Sequence, residues 1–438
     1  MTVLVVGFGV TGRAAAAQIR ARGEEVIVVD DAPSEAAVSA AAAAGIELVV
    51  APGEAGLRAL LRDCTTAVVS PGVPARHPFY GAARDCGVEV VSEIELAWRW
   101  TSTPIVAITG TNGKTTVTTL VAEMLDRAGT SALAAGNIGL PLVEAVSQEA
   151  DLYVAEVSSF QLEYTAGFRP SVATWLNLAE DHLDWHPSMA AYAAAKERVW
   201  ANQGQGDVAI GNADVDAVSA TLACAPSEVH ITFGSSSAAH WQVRDGDIRM
   251  PGGEVFVRSQ DLPRSLPHDL ENLAAAAATA LAAGGSLDVC REVACSFQGL
   301  PHRVELVAQS GGVSWYDDSK ATTPASVLAA VRGFRSVVLL AGGRNKGLDL
   351  GVLREAADHI KAVVAFGEAA QEIEDTFRGL RPVESADSMY DAVRAAAGFA
   401  QDGDVVLLSP GCASYDWYRN YAERGEDFAR RVFEVVSP

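Results

Sequence analysis

The segment Thr109-Gly110-Thr111-Asn112-Gly113-Lys114-Thr115-Thr116 constrains this chain more than any other. Pro104-Ile105-Val106-Ala107-Ile108 before it reads as a buried strand and the residues after it as a helix, so the segment is a strand-to-helix loop. Its glycines let successive backbone N–H groups point at phosphate oxygens. Lys114 then reaches the β- and γ-phosphates, and the Thr115 hydroxyl suits magnesium. Ile108 stands where the general phosphate-loop pattern has glycine, and the strand before and helix after carry the reading instead. Gly110, Thr111, Asn112, Gly113, Lys114, Thr115 and Thr116 are therefore expected to bind nucleotide phosphates.

Alternating strand and helix patterns recur in three blocks, the signature of parallel sheets with crossover helices, and 438 residues at 49% hydrophobic exceed what one core holds. In the first block, Val3 to Val6 run into Gly7-Phe8-Gly9-Val10-Thr11-Gly12, then an alanine-rich helix, then Val26 to Val29 closing on Asp30. This GxGxxG arrangement brings a pyrophosphate to a helix N-terminus, with Asp30 placed for a ribose or another polar ring edge. Glycines needed only for helix-on-strand packing would look the same. A further strand, Ala67 to Ser70, ends in Ser70-Pro71-Gly72-Val73-Pro74, at the sheet edge where ligands bind.

In the second block a strand over Leu152 to Ala155 delivers Glu156 toward the phosphate loop, where it could hold magnesium. Val172 to Leu176 lead into Asn177-Leu178-Ala179-Glu180-Asp181-His182-Leu183-Asp184-Trp185-His186, dense in metal- or phosphate-positioning groups. Helix capping would explain that cluster equally well. Lys196 follows on a helix pattern from Met189 to Trp200. In the third block, Asp318-Ser319-Lys320, Gly342-Gly343-Arg344-Asn345-Lys346 and Ser409-Pro410-Gly411-Cys412-Ala413-Ser414 each follow a strand. Lys320, Lys346 and Ser414 could thus converge on one cleft.

A formal charge of -22 argues against nucleic acid as a partner. Five of the 33 basic residues are lysines, and Lys114, Lys196, Lys320 and Lys346 all lie in or beside these motifs, where a compact, deprotonatable amine does what arginine cannot. The six cysteines form no CxxC pair, which fits thiols kept reduced in a cytosol. No run approaches the roughly 18 apolar residues of a membrane span, and Met1 to Val10 lacks a basic leader. A cytoplasmic chain with no membrane partner is the expectation.

Together, Gly110-Thr111-Asn112-Gly113-Lys114-Thr115, Asp181-His182-Leu183-Asp184, His302-Arg303 and Asp318-Ser319-Lys320-Ala321-Thr322 resemble the Mur ligase family, over essentially the whole chain. The N-terminal glycine loop, Glu156-Val157-Ser158-Ser159-Phe160-Gln161-Leu162 and Ser409 to Ser414 are similar to the branch that joins D-glutamate to UDP-N-acetylmuramoyl-L-alanine. The resemblance implies an α/β, three-domain monomer. Residues 1–93 would form a Rossmann-like N-terminal domain for the UDP portion, 94–299 a central P-loop ATPase-type domain, and 300–438 a Rossmann-like C-terminal domain bringing the amino acid.

The resemblance further implies Lys114 on the ATP phosphates, Thr115 and Glu156 on a first magnesium ion, and His182 with a carbamylated Lys196 on a second. Lys114, Glu156, His182 and Lys196 would be the catalytic set. Gly9, Val10, Thr11, Asp30, Ser70, Pro71 and Gly72 would take the UDP end of the substrate, and Asn137 with His182 its muramoyl-alanine end. Asn272, Arg303 and Asp318 would contact ATP, and Lys320, Thr322, Lys346, Ser414 and Tyr421 D-glutamate. In His268-Asp269-Leu270-Glu271-Asn272 the family's first asparagine is replaced by Asp269, which removes a donor from the expected adenine contact.

Other readings account for less. A nicotinamide-dependent oxidoreductase would use the N-terminal glycines but leaves the second phosphate loop idle. A non-catalytic nucleotide-binding regulator requires the metal loop to be inert. Another Mur or folate-polyglutamylating ligase would differ in its amino acid, and the Asp-Asn-Pro-Arg motif usual in diamino-acid members is absent.

Overall fold

Short β-branched runs that are apolar on both faces demand helices on both sides, and three such sheets organise the chain in the computed structural model, which describes residues 2–436. The first sheet is all parallel, in the order Glu47–Val50, Glu25–Asp30, Thr2–Val6, Cys64–Val69, Glu89–Val91. Strand order reverses at Thr2–Val6, so the loops after Val6 and Val69 meet at one carboxyl edge. There Ser70 Oγ donates to the Gly7 carbonyl at 2.9 Å. Gly7 has φ +87°, and a Cβ on it would press on Ser70 and Val73.

The second sheet has nine strands, with Ile105–Thr109 between Val172–Trp175 and Leu152–Glu156. The phosphate loop, Glu156 and the Asn177–His186 loop therefore leave three neighbouring strands at the same edge. Helices Lys114–Arg127 and Pro267–Ala282 cover one face, where the alanines 274–278 allow Val117, Leu120, Val121 and Leu125 to pack close. Among the described residues no helix is long and apolar enough to cross a membrane.

The third sheet runs Glu305–Ser310, Val313–Asp317, Val405–Gly411, Val337–Gly342, Ile360–Phe366, Val383–Ala386. Strands ending at Asp317, Gly411 and Gly342 are adjacent, so the three motif loops share one edge, as their spacing predicts. Antiparallel hairpins interrupt the parallel pattern at Trp241–Arg244 with Asp247–Arg249 and at Glu305–Ser310 with Val313–Asp317. Their two-residue turns, Asp245-Gly246 (φ +54° and +80°) and Gly311-Gly312 (φ +57° and +77°), take the left-handed conformations that such hairpins require.

Candidate active site

The edges of the second and third sheets face each other across a cavity of about 780 Å³. Its phosphate-loop wall is shaped by Gly110 and Gly113, at φ +157° and +82°. Asn177 fixes the first turn of the loop: its Oδ1 accepts from the backbone N–H of Thr111 at 3.0 Å and of Asn112 at 2.9 Å. The sequence reading gave Asn177 no role of its own, although its place at the end of the neighbouring strand is the signal that could have found it. Lys114 Nζ curls over the loop and donates to the Gly110 and Thr111 carbonyls, each at 2.9 Å. Burial lowers the pKa of that amine, and Glu156 and Asp181 oppose the shift.

Glu156 is buried; its Oε1 accepts from Asn137 Nδ2 at 2.9 Å, while its Oε2 is buried with no hydrogen-bond partner. An unpartnered buried carboxylate oxygen is costly unless a cation fills it. Thr115 and His182 line the same cavity, so the donor set fits a divalent ion with hard oxygen ligands and one imidazole. His182 has φ +55°, strain of the kind that collects at functional sites. Burial lowers its pKa, leaving the neutral imidazole a ligand needs.

Lys196 lies beneath the cavity floor rather than on its wall. Fully buried, it donates to the Gly110 carbonyl at 2.8 Å and stands 4.6 Å from the Tyr192 ring centre. Burial first, and Lys114 second, hold its pKa well below that of an ordinary lysine.

From the third sheet come Arg303, Asp318, Lys320, Thr322, Lys346 and Tyr421, all on the cavity wall. His302 and Val304 carry φ +61° and +48°, a bend that turns Arg303 inward, and Arg264 Nη1 donates to the Arg303 carbonyl at 2.7 Å. Asp318 is buried, accepts from Ser409 Oγ at 2.7 Å, and has its pKa pushed up to about 7 by that burial. Lys320 Nζ stands 3.8 Å from the Tyr421 ring centre; burial, then Arg303, lower its pKa to about 8. Lys346 reaches Asp181 of the opposite edge at 3.6 Å.

Ser414 is buried behind the wall and does not line the cavity. Arg424, which the sequence reading missed, explains the rigidity there: its guanidinium donates to Ser319 Oγ, the Ser319 carbonyl and the Cys412 carbonyl at 2.9, 2.8 and 3.1 Å. No motif could have found it, because its partners are the Ser319 hydroxyl and the backbone carbonyls of two loops outside its own helix.

Asn272 lines the cavity beside Gly113, whose missing Cβ leaves room for its Oδ1. Asp269 is turned to other work: it pairs with Arg264 Nη2 at 3.1 Å and accepts from the Leu266 N–H at 3.3 Å, capping helix Pro267–Ala282. Gly9, Val10, Thr11, Asp30, Ser70, Pro71 and Gly72 are not among the cavity's lining residues and gather at the edge of the first sheet. Asp30 accepts from the Phe8 N–H at 2.7 Å and the Ala32 N–H at 3.0 Å, so it shapes the glycine loop directly. Helix Val10–Ala21 starts without an acidic residue or a side-chain cap, leaving its first N–H groups to an anion.

Comparison with known proteins agrees with this layout along the chain. Residues 1–92 match the family described as Mur ligase MurD-like, N-terminal domain, residues 108–280 the Mur ligase middle domain, and residues 302–412 the Mur ligase, glutamate ligase domain. The UDP-N-acetylmuramoylalanine--D-glutamate ligase of Frankia casuarinae is 44% identical over 448 residues, covering 99% of this chain and 94% of that protein. That of Desulfosudis oleivorans is 40% identical over 446 residues, covering 98% and 95%. Among solved structures, MurC of Thermotoga maritima aligns with a TM-score of 0.60 at 18% identity, covering 99% of both chains. MurF of Acinetobacter baumannii aligns at 0.61 and 18%, covering 99% of this chain and 90% of that one. At such identities these two speak for the fold alone.

Proposed function

The chain belongs to the Mur ligase family, and from that premise we infer that it is the ATP-dependent ligase that adds D-glutamate to UDP-N-acetylmuramoyl-L-alanine in peptidoglycan precursor synthesis. The observation that carries the reading is the single cavity where Lys114, Glu156 with its free oxygen, and the Arg303, Lys320 and Lys346 cations face one another. In a chain of charge -22, that concentration of cations suits a triphosphate and two carboxylate substrates.

A carboxylate is a poor acyl electrophile, so its oxygen first attacks the γ-phosphorus of ATP, ADP leaves, and an acyl phosphate forms. Lys114 and the N–H groups of the phosphate loop offset charge on the transferring phosphoryl group. The D-glutamate amine then attacks the acyl carbon, phosphate departs, and an amide remains. Lys320, Thr322, Lys346 and Tyr421 would hold the incoming amino acid; Ser414, one layer back, would support them. Asn272, Arg303 and Asp318 would contact ATP, and the first-sheet edge would hold the UDP group. Thr115, Glu156, His182 and Lys196 would hold two magnesium ions, which supply further charge neutralisation at the phosphoryl group.

Lys196 would serve as a carbamate. Burial shifts its amine toward the neutral form, which is the form that attacks carbon dioxide and, on losing a proton, gives an anionic oxygen ligand beside Lys114. We divide the units at 1–93, 94–299 and 300–438. We also read the chain as a cytoplasmic monomer, since its six free cysteines fit a reducing compartment and one chain supplies every residue invoked here. The test is phosphate release from ATP and magnesium with UDP-N-acetylmuramoyl-L-alanine, comparing D-glutamate with L-glutamate, L-lysine and meso-diaminopimelate. Release with D-glutamate alone is expected; release with another amino acid changes the substrate, and none with any overturns the reading.

A further inference from the structure

The proposed substrate is one molecule gripped at two ends, its nucleotide in the first unit and its acyl group beside Glu156 and His182 in the second. Two grips reinforce each other only while their separation is held, because a loose joint must be ordered at every binding event. Behind the site the joint is tied by backbone: the Ser92 N–H of the first unit donates to the Tyr164 carbonyl of the second at 2.8 Å.

On the substrate side the tie is an indole. Trp185 Nε1, from the His182 loop, donates to the Val73 carbonyl of the first unit at 3.0 Å. Val73 belongs to the Ser70–Pro74 loop, which Ser70 fastens to the glycine loop. In the other direction Trp185 stands edge-on to Phe160, with ring centres 5.0 Å apart, and Phe160 stands edge-on to His182 at 4.8 Å. Tyr80, whose hydroxyl also reaches the Val73 carbonyl at 3.3 Å, stacks on Tyr164 across the same joint at 5.3 Å. Contacts thus run without a break from the glycine loop to His182.

We propose that Trp185 is a positioning residue that sets the span between the nucleotide end and the acyl end of the substrate site, holding the Ser70–Pro74 loop against the His182 loop. The inference rests on the substrate proposed above. Trp185 acts through Val73 and Phe160, so its removal should matter for a substrate that uses both grips and not for one that uses only the acyl grip.

The experiment compares wild type with Trp185→Phe, which keeps a ring against Phe160 and loses the N–H. With the full UDP-substrate, KM should rise about fivefold, the effect of one net hydrogen bond, while KM for ATP and for D-glutamate stays unchanged. With a truncated acyl substrate lacking the uridine nucleotide, kcat/KM should be equal in the two proteins. An unchanged KM for the full substrate, or an equal loss with the truncated one, overturns the proposal. Hydrogen exchange in the ligand-free proteins gives a second reading: the peptide Ser70–Tyr80 should exchange faster in the variant and helix Lys114–Arg127 should not, and unaltered exchange at Ser70–Tyr80 overturns it. If wild type releases no phosphate with the UDP-substrate, the substrate assignment is what fails, and the exchange comparison still decides the role of Trp185.

Discussion

Lys114 keeps its amine on two carbonyls of the phosphate loop, so its removal takes a charge from the site without opening the core. Lys114→Ala should lower kcat on the order of a hundredfold while its thermal unfolding stays close to wild type. Lys320, with a pKa lowered to about 8, titrates within reach of ordinary assays. Its protonated form is the one that attracts a carboxylate, so KM for D-glutamate should rise as pH climbs through about 8; in Lys320→Arg this inflection should vanish.

Glu93 titrates with the opposite sign. Burial raises its pKa from 4.5 to about 7, while it accepts from Gln161 Nε2 and the Val143 N–H. A raised carboxyl pKa means that the folded state binds the proton more tightly. The stabilisation is complete below pH 4.5 and is lost as pH rises toward 7. Denaturant titrations of wild type and Glu93→Gln should therefore diverge over that window, wild type losing up to about 3 kcal/mol relative to the variant.

Elements were legible where local patterns and local chemistry agree. The strand expected before the phosphate loop is Ile105–Thr109, and three adjacent third-sheet strands deliver the three motif loops. The antiparallel hairpins were not read, although Asp245-Gly246 and Gly311-Gly312 carry the signal, because period-two alternation over strands of three to six residues is too short to stand out beside the parallel blocks. Strand packing also makes one glycine far less replaceable than another. Gly136 has φ +99°, and a Cβ there would strike the Glu156 backbone carbonyl; Gly129 has φ +94° and open space. Both alanine variants incur left-handed strain of roughly 1 kcal/mol, but only Gly136→Ala should also weaken magnesium-dependent turnover, by pushing Asn137 off Glu156. Magnesium titrations of the two variants check this.

At the scale of the molecule, the second and third units meet through polar contacts: Ser326 Oγ to Asn112 Oδ1 at 2.7 Å, Lys346 to Asp181 at 3.6 Å, and Arg264 to the Arg303 carbonyl at 2.7 Å. Such an interface permits relative motion, so X-ray scattering should show a smaller radius of gyration with an ATP analogue and UDP-substrate than without ligands. Lys346→Ala should reduce that contraction. The amino-acid sequence by itself determined the phosphate loop, the three α/β blocks and the residue types offered at each strand end, because these follow from hydrophobic period and glycine placement within a few residues. Only the tertiary structure decided that Glu156 keeps a free buried oxygen, that Asp269 caps a helix, that Ser414 stands behind the wall, and that Arg424 and Trp185 tie distant loops. Apart from the cap, whose partners Arg264 and Leu266 are near neighbours, these depend on groups well separated in sequence, whose positions exist only once the sheets have packed.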